Sequence, residues 1–121
     1  MHAEGFPAGE LKHGPIALIE PGLPVVVVMP SPLGRPLLHQ KMLSNISEIS
    51  ARGARTIVIA AEGDELAAKH AAHLIEVPAV PTLLSPLVTT IPLQVLAAEI
   101  AQARGLDVDK PRNLAKSVTV E

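Results

Sequence analysis

The last fifteen residues of the sequence carry polar and basic side chains in place of core-forming ones. This segment, 107–121, has no aromatic residue and groups three cations with three hydrogen-bonding side chains: Lys110, Arg112, Lys116, Asn113, Ser117 and Thr119. A lysine amine held against packed backbone can attack a carbonyl and form a Schiff base, and a neighbouring arginine favours phosphate. On charge alone, a solvated basic arm is the simpler interpretation.

A histidine near the other end of the chain is the second candidate for chemistry. His13 lies in the run Ala8-Gly-Glu-Leu-Lys-His-Gly-Pro-Ile-Ala-Leu-Ile19. Imidazole is the side chain best suited to moving protons near neutral pH. The alternative is a histidine that only closes a helical turn before Gly14.

His70, His73 and Glu76 have a spacing that a metal ion could use. Because His73 begins a predicted strand, the two imidazoles need not share a face, and a pair of surface histidines is favoured over a zinc site. We expect no metal, and no cofactor is implied.

Two segments of the chain resemble one enzyme family. The ending Asp-Lys-Pro-Arg-Asn-Leu-Ala-Lys-Ser-Val-Thr-Val-Glu resembles the C-terminus of the glutamine–fructose-6-phosphate aminotransferases (glucosamine-6-phosphate synthases), and the run around His13 resembles the same enzymes. The two blocks lie about as far apart as in that family's second sugar isomerase (SIS) subdomain, and the intervening chain fits that pattern throughout. The resemblance covers essentially the whole chain, but only the last part of such an enzyme.

The resemblance implies roles for individual residues. His13 matches the family histidine thought to open the sugar ring, which acts across a homodimer in the neighbouring subunit's site. Lys116 matches the lysine that forms the imine with the open-chain ketose, and Ala115 matches a residue whose backbone borders the sugar. Glu10 and Lys12 accompany the histidine motif in supporting roles at most.

Parts of the family's site have no match here. The proton-transferring glutamate lies upstream of Met1, and Glu4 does not occupy its position. The serine- and threonine-rich phosphate loop belongs to the preceding SIS subdomain, and the glutaminase with its cysteine nucleophile is also unmatched. Arg112 and Asn113 only fasten the tail, since the recognised phosphate contacts lie elsewhere.

The resemblance therefore implies a division of the chain and a set of partners. Residues 1–105 are expected to form the C-terminal part of the second SIS subdomain, and residues 106–121 an active-site tail. The expected partners are fructose 6-phosphate, glucosamine 6-phosphate, a second copy of the chain, and the glutaminase and first SIS subdomain of the same enzyme. We expect these residues alone to be inactive. Two alternatives are another SIS phosphosugar isomerase or deglycase, and a non-catalytic SIS module for sugar-phosphate sensing or dimerisation.

Composition excludes several other classes of protein. The chain has 121 residues, 48% of them hydrophobic, with one aromatic residue, no cysteine and a net charge of −2. An aliphatic core is expected, and nucleic-acid binding is disfavoured because cations are dispersed and no Trp or Tyr can stack on bases. No apolar run approaches the roughly 20 residues of a membrane span, and the start lacks a signal-peptide pattern. A cytoplasmic protein is the default.

Periodicity predicts alternating strands and helices. A continuous run of β-branched residues predicts a strand buried on both faces at 23–29. A second buried strand is predicted at 55–60 and a third strand at 73–77. Helices are predicted at 36–52, at 64–71 with an Asp64 cap, and at 85–104 after a Ser-Pro start, with a kink at Pro92; a single turn covers 10–13. The apolar stripes that should face the core are Leu38, Met42, Ile46 and Ile49 in the first long helix, and Leu87, Val88, Ile91, Val95, Leu96 and Ile100 in the last.

This order of elements predicts an α/β fold. Right-handed crossovers give a parallel sheet with helices on both faces, a three-layer αβα architecture in which ligands bind beyond the carboxyl ends of the strands. The resemblance implies an SIS-type sheet of five strands, of which this chain supplies the last three. One edge strand should then be unpaired, so that the isolated chain self-associates through it or is stabilised by neighbouring molecules.

Overall fold

The computed structural model describes residues 2–110. It contains two short 3-10 helices, Ala8–His13 and Pro15–Leu18. Three strands follow, β1 (Pro24–Val28), β2 (Arg55–Ala61) and β3 (His73–Val77), with helices α1 (Pro36–Ala51), α2 (Glu65–His70) and α3 (Ser85–Ala103) after them in alternation. The predicted α/β order is confirmed, and all six predicted strands and helices lie within two residues of their expected bounds.

The strands form one parallel sheet in the order β1-β2-β3. Pro24 is paired with Arg55 and Val28 with Ile59, while Ile57 is paired with His73 and Ala61 with Val77. Within the described residues β1 and β3 are each hydrogen-bonded only to β2, so both are open edges of the sheet. The valine run is not fully covered, since Val26 and Val28 are 37% and 40% exposed.

The core is aliphatic, as the composition predicts. Its central cluster joins the middle strand to the inner faces of the first two helices and consists of Val27, Met29, Ile46, Ile49, Val58, Ala60 and Ala67. One position of the predicted stripe in α1 is wrong. Leu38 is 43% exposed, and the adjacent His39 is buried in its place at 3%.

The loop from α1 to β2 requires a glycine. Gly53 has φ +88°, a region that favours glycine, and a Cβ there would lie 2.9 Å from the Cα of Pro21. The carbonyl oxygen of Gly53 accepts a 2.7 Å hydrogen bond from the N–H of Gly22. The close approach holds the segment before β1 against the end of α1.

The N-terminal segment has more helix than the single turn predicted at 10–13. Gly14, with φ +150°, separates the two 3-10 helices. The first of them is fastened to α1 by an ion pair of 2.7 Å between Lys12 Nζ and Glu48 Oε1.

The predicted apolar stripe of α3 is only partly covered. Leu87, Ile91 and Val95 are 70%, 58% and 53% exposed, whereas Val88, Leu96 and Ile100 are half-buried. Pro92 lies inside the helix, which continues past it.

The chain divides into two compact units, Met1–Thr89 and Thr90–Glu121. Among residues 2–110, no helix has both the length and the apolar character that crossing a membrane requires.

Candidate functional site

His13 is an exposed residue at the end of the first 3-10 helix. The conformation of Gly14 ends that helix directly after it. The Lys12–Glu48 ion pair fixes the adjacent residue against α1. Local structure therefore holds the backbone at His13 while the imidazole stays accessible.

The two glutamates considered beside His13 are also exposed. Glu10 lies in the first turn of the same 3-10 helix. Glu4 lies in the preceding segment, where its Oε1 atom is 3.0 Å from His2 Nε2. Both carboxylates are therefore in contact with solvent.

The C-terminal candidates Lys116, Ala115, Arg112 and Asn113 lie outside the described residues. The structure does describe the start of the predicted tail, where Asp107 Oδ1 accepts hydrogen bonds of 2.9 Å from the backbone N–H groups of Asp109 and Lys110. These bonds form a turn at residues 107–110. Whether Lys116 and His13 meet in one pocket stays a prediction.

A cavity of about 540 Å³ lies beyond the carboxyl ends of β1 and β2. This is the edge at which parallel α/β sheets bind their ligands, and the volume falls within the usual range for small-molecule sites. Its lining comes from the end of β2, the loops after β1, β2 and β3, and the starts of α1 and α2: Ser31, Pro32, Leu33, Pro36, His39, Gln40, Ala61, Glu62, Gly63, Asp64, Glu65, Leu66 and Ala79.

A buried histidine–aspartate pair forms part of this lining. His39 Nε2 lies 2.6 Å from Asp64 Oδ2, and the two side chains are 4% and 5% exposed. The other carboxylate oxygen, Asp64 Oδ1, accepts a 3.0 Å hydrogen bond from the N–H of Ala67 and so caps α2. One carboxylate thus stabilises the start of α2 and binds α1 to it.

The sequence interpretation identified half of this pair. It predicted the Asp64 cap, which is confirmed, but it placed Leu38 in the buried stripe and passed over His39. The spacing of residues could have predicted that His39 is buried, because residue 39 is three positions before Met42 and seven before Ile46 and so lies on the same helix face. A polar residue at such a position indicates a buried partner.

The histidine pair considered for a metal has other contacts. His70 Nδ1 is 3.2 Å from Ser47 Oγ at an exposed position, and His73 is the exposed first residue of β3. Glu76 Oε1 accepts a hydrogen bond from the N–H of Gly63. Among residues 2–110, no group of three or more His, Asp or Glu side chains is placed to hold a metal ion.

Comparisons with known proteins agree on one family. A family model described as SIS domain matches residues 1–104. The glutamine–fructose-6-phosphate aminotransferase [isomerizing] of Mycobacterium tuberculosis (strain ATCC 25618 / H37Rv) is 75% identical over all of this chain, which spans 19% of that protein. The protein of the same name from Streptomyces coelicolor is 73% identical, again over the whole chain and 20% of its own length.

A solved structure gives the same result for the fold. The C-terminal domain of glucosamine-fructose-6-phosphate aminotransferase from Francisella tularensis matches with a TM-score of 0.77 and 38% identity. The match covers 91% of this chain and 30% of that one. The chain thus spans about a fifth of the length of the aminotransferases that it matches.

Proposed function

Since this chain belongs to the SIS domain family, we propose that it is the C-terminal part of the isomerase half of a glutamine–fructose-6-phosphate aminotransferase. Such an enzyme converts fructose 6-phosphate and glutamine to glucosamine 6-phosphate and glutamate. The observation that carries the proposal is the alignment with the Mycobacterium tuberculosis protein, which covers the whole chain at 75% identity. In this proposal residues 1–105 complete an SIS subdomain and residues 106–121 form a tail that enters the active site.

Lys116 is the residue that reacts with the sugar in this proposal. Its amine adds to the carbonyl carbon of the open-chain ketose, and loss of water leaves an imine. The imine nitrogen draws electrons from the neighbouring carbons, which makes the transfer of a proton between them easier. Ala115 borders the sugar through its backbone.

His13 moves the proton that opens the sugar ring. Its exposed position at the end of a fastened 3-10 helix suits a group that reaches into another subunit's site. The proposal therefore includes a homodimer in which each site combines Lys116 of one chain with His13 of the partner chain.

Other segments of the enzyme supply the rest of the site. The base that transfers the proton and the loop that binds the phosphate are expected upstream, together with the glutaminase that releases ammonia. The open edge of the sheet at β1 is where upstream strands would complete it. The 121 residues by themselves are expected to form no glucosamine 6-phosphate.

Reductive trapping tests the role of Lys116. Borohydride added to the full-length protein with fructose 6-phosphate should reduce the imine and attach the sugar to Lys116 through a stable bond. Peptide mass mapping should locate the adduct there. A Lys116→Arg variant keeps the charge but cannot form the same imine, so it should show no adduct; Lys110→Arg is the matched control and should keep it. An adduct at another lysine would refute the assignment.

A further inference from the structure

The ion pair between Lys12 and Glu48 lies one residue from His13. It joins the first 3-10 helix, Ala8–His13, to α1, and its Nζ and Oε1 atoms are 2.7 Å apart. Among residues 2–110 it is the only ion pair of a lysine or arginine with a carboxylate. We propose that Glu48 is a positioning residue for ring opening, because through Lys12 it sets the rotation of this 3-10 helix and so the direction of the His13 imidazole. This inference rests on the proposed function, in which His13 opens the sugar ring.

The exposure of the first 3-10 helix follows its geometry. A 3-10 helix has three residues per turn, so its side chains project in three directions and residues three apart lie on one face. Ala8 and Leu11 form one face and are half-buried, whereas the residues of the other two faces are exposed: Gly9, Glu10, Lys12 and His13. The helix therefore packs against the domain along a single face.

Two contacts on different faces fix the rotation of this helix. Leu11 packs against the central core cluster, and Lys12 is paired with Glu48. Consecutive residues of a 3-10 helix are about 120° apart, so these two contacts leave His13 on the third face, directed away from both. Leu11 alone would hold the helix at one point and would fix its rotation less firmly.

Ring opening depends on the direction of the imidazole. The C2–O5 bond of the sugar breaks, the anomeric hydroxyl loses its proton as the C2 carbonyl forms, and O5 gains a proton. A side chain that moves this proton must come within hydrogen-bond reach of the oxygens, about 2.6–3.2 Å. In the proposed dimer the sugar is held by the partner chain, so a rotation of the 3-10 helix changes the distance from the imidazole to these oxygens.

The exposure of the ion pair limits the size of the expected effect. The Lys12 and Glu48 side chains are 53% and 36% exposed, and such pairs contribute little to the stability of a fold. The fold should therefore tolerate the loss of the pair. The largest contribution typical of an exposed pair corresponds to a change of about fivefold in a rate, and we expect a loss of that size in ring opening.

Two substrates isolate ring opening in the full-length protein. Fructose 6-phosphate closes into a ring, whereas 5-deoxyfructose 6-phosphate lacks the hydroxyl that closes it and is always open. Rapid mixing followed by borohydride quenching would give the rate at which each sugar forms the imine with Lys116. The ratio of the two rates, fructose 6-phosphate over the analogue, measures ring opening. Because both rates come from one preparation, any loss of folded protein cancels.

Charge reversal tests the role of Glu48. Glu48→Lys should lower the ratio about fivefold, and so should Lys12→Glu. The double variant restores the ion pair with its charges exchanged, and its ratio should return to within about twofold of wild type. Glu20→Lys makes the same charge reversal at an exposed position before β1, and this matched control should leave the ratio unchanged.

Two results would overturn the positioning role. One is an unchanged ratio in Glu48→Lys. The other is a double variant that stays as slow as Lys12→Glu, because the charge of Lys12 would then act on the sugar directly and not through Glu48.

His13→Asn separates this inference from the proposed function. It should lower the same ratio by at least about a hundredfold, since it removes the group that moves the proton. If His13→Asn lowers the ratio and Glu48→Lys does not, only the positioning role fails. If His13→Asn leaves the ratio unchanged, or if neither sugar forms an imine at Lys116, the proposed function fails and the positioning role fails with it.

Discussion

The buried His39–Asp64 pair should contribute more to stability than any exposed ion pair described in the chain. Both side chains are at least 95% buried and their polar atoms are 2.6 Å apart. His39→Leu removes the imidazole and leaves a buried carboxylate whose described hydrogen bond is the one from Ala67. Breaking a buried pair in this way costs about 3–5 kcal/mol, which is a large part of the 5–15 kcal/mol typical of a whole domain.

Removing the other partner should cost less. Asp64→Ser keeps an oxygen that can cap α2. The variant therefore loses mainly the hydrogen bond to His39 Nε2, and a buried donor left without a partner lowers the free energy of unfolding by about 1–3 kcal/mol. The double variant should lose less than the two single losses added together, because neither polar group then remains buried alone. The difference, a coupling energy of about 1–3 kcal/mol, measures the interaction.

Urea unfolding followed by far-ultraviolet circular dichroism would measure these free energies at one protein concentration. Ser47→Ala is the matched control, since it removes an exposed contact between α1 and α2, that of Ser47 Oγ with His70 Nδ1, and should change stability by less than about 0.5 kcal/mol. Additive losses in the double variant would refute the reasoning, because they would mean that the two side chains stabilise the fold independently.

Three further predictions concern the assembly and one tight turn. Mixing full-length His13→Ala and Lys116→Ala subunits should restore about a quarter of wild-type aminotransferase activity, because half of randomly paired dimers are mixed and each holds one complete site. Val26→Lys in the edge strand β1 should reduce the concentration-dependent self-association of the 121-residue chain in sedimentation velocity, because charge on an edge strand opposes pairing. Gly53→Ala should destabilise the chain by more than about 1 kcal/mol in urea unfolding, because φ is +88° and the added Cβ would meet backbone at 2.9 Å.

Each of these three predictions has a result that would contradict it. Mixed subunits that stay inactive would place His13 and Lys116 in the same subunit's site. A wild-type chain that is monomeric at all concentrations would contradict association through β1. Gly63→Ala is the control, because Gly63 has a positive φ but open space around it. If the urea midpoint of Gly53→Ala were unchanged, the backbone at residue 53 would have to move freely.

The order of strands and helices was set by local sequence. Runs of β-branched residues favour strands because a branched side chain packs well on a pleated surface, and 73–77 was predicted with the bounds that the structure has. Asp64 was predicted as a cap because a short carboxylate before a helix can accept a backbone hydrogen bond. These features depend on neighbours within a few residues, so the sequence alone predicts them.

Tertiary structure decided which residues meet across longer separations. His39 and Asp64 are 25 positions apart, and they make contact only because the pairing of β1 with β2 brings the start of α1 beside the loop after β2. The same arrangement exposes Leu38 and buries its neighbour, since a rotation of α1 by one residue changes which side chain faces the sheet. The sequence determined that α1 has an apolar face and that Asp64 can cap α2, whereas the packing of α1 against the sheet determined that His39 and Asp64 together line a cavity.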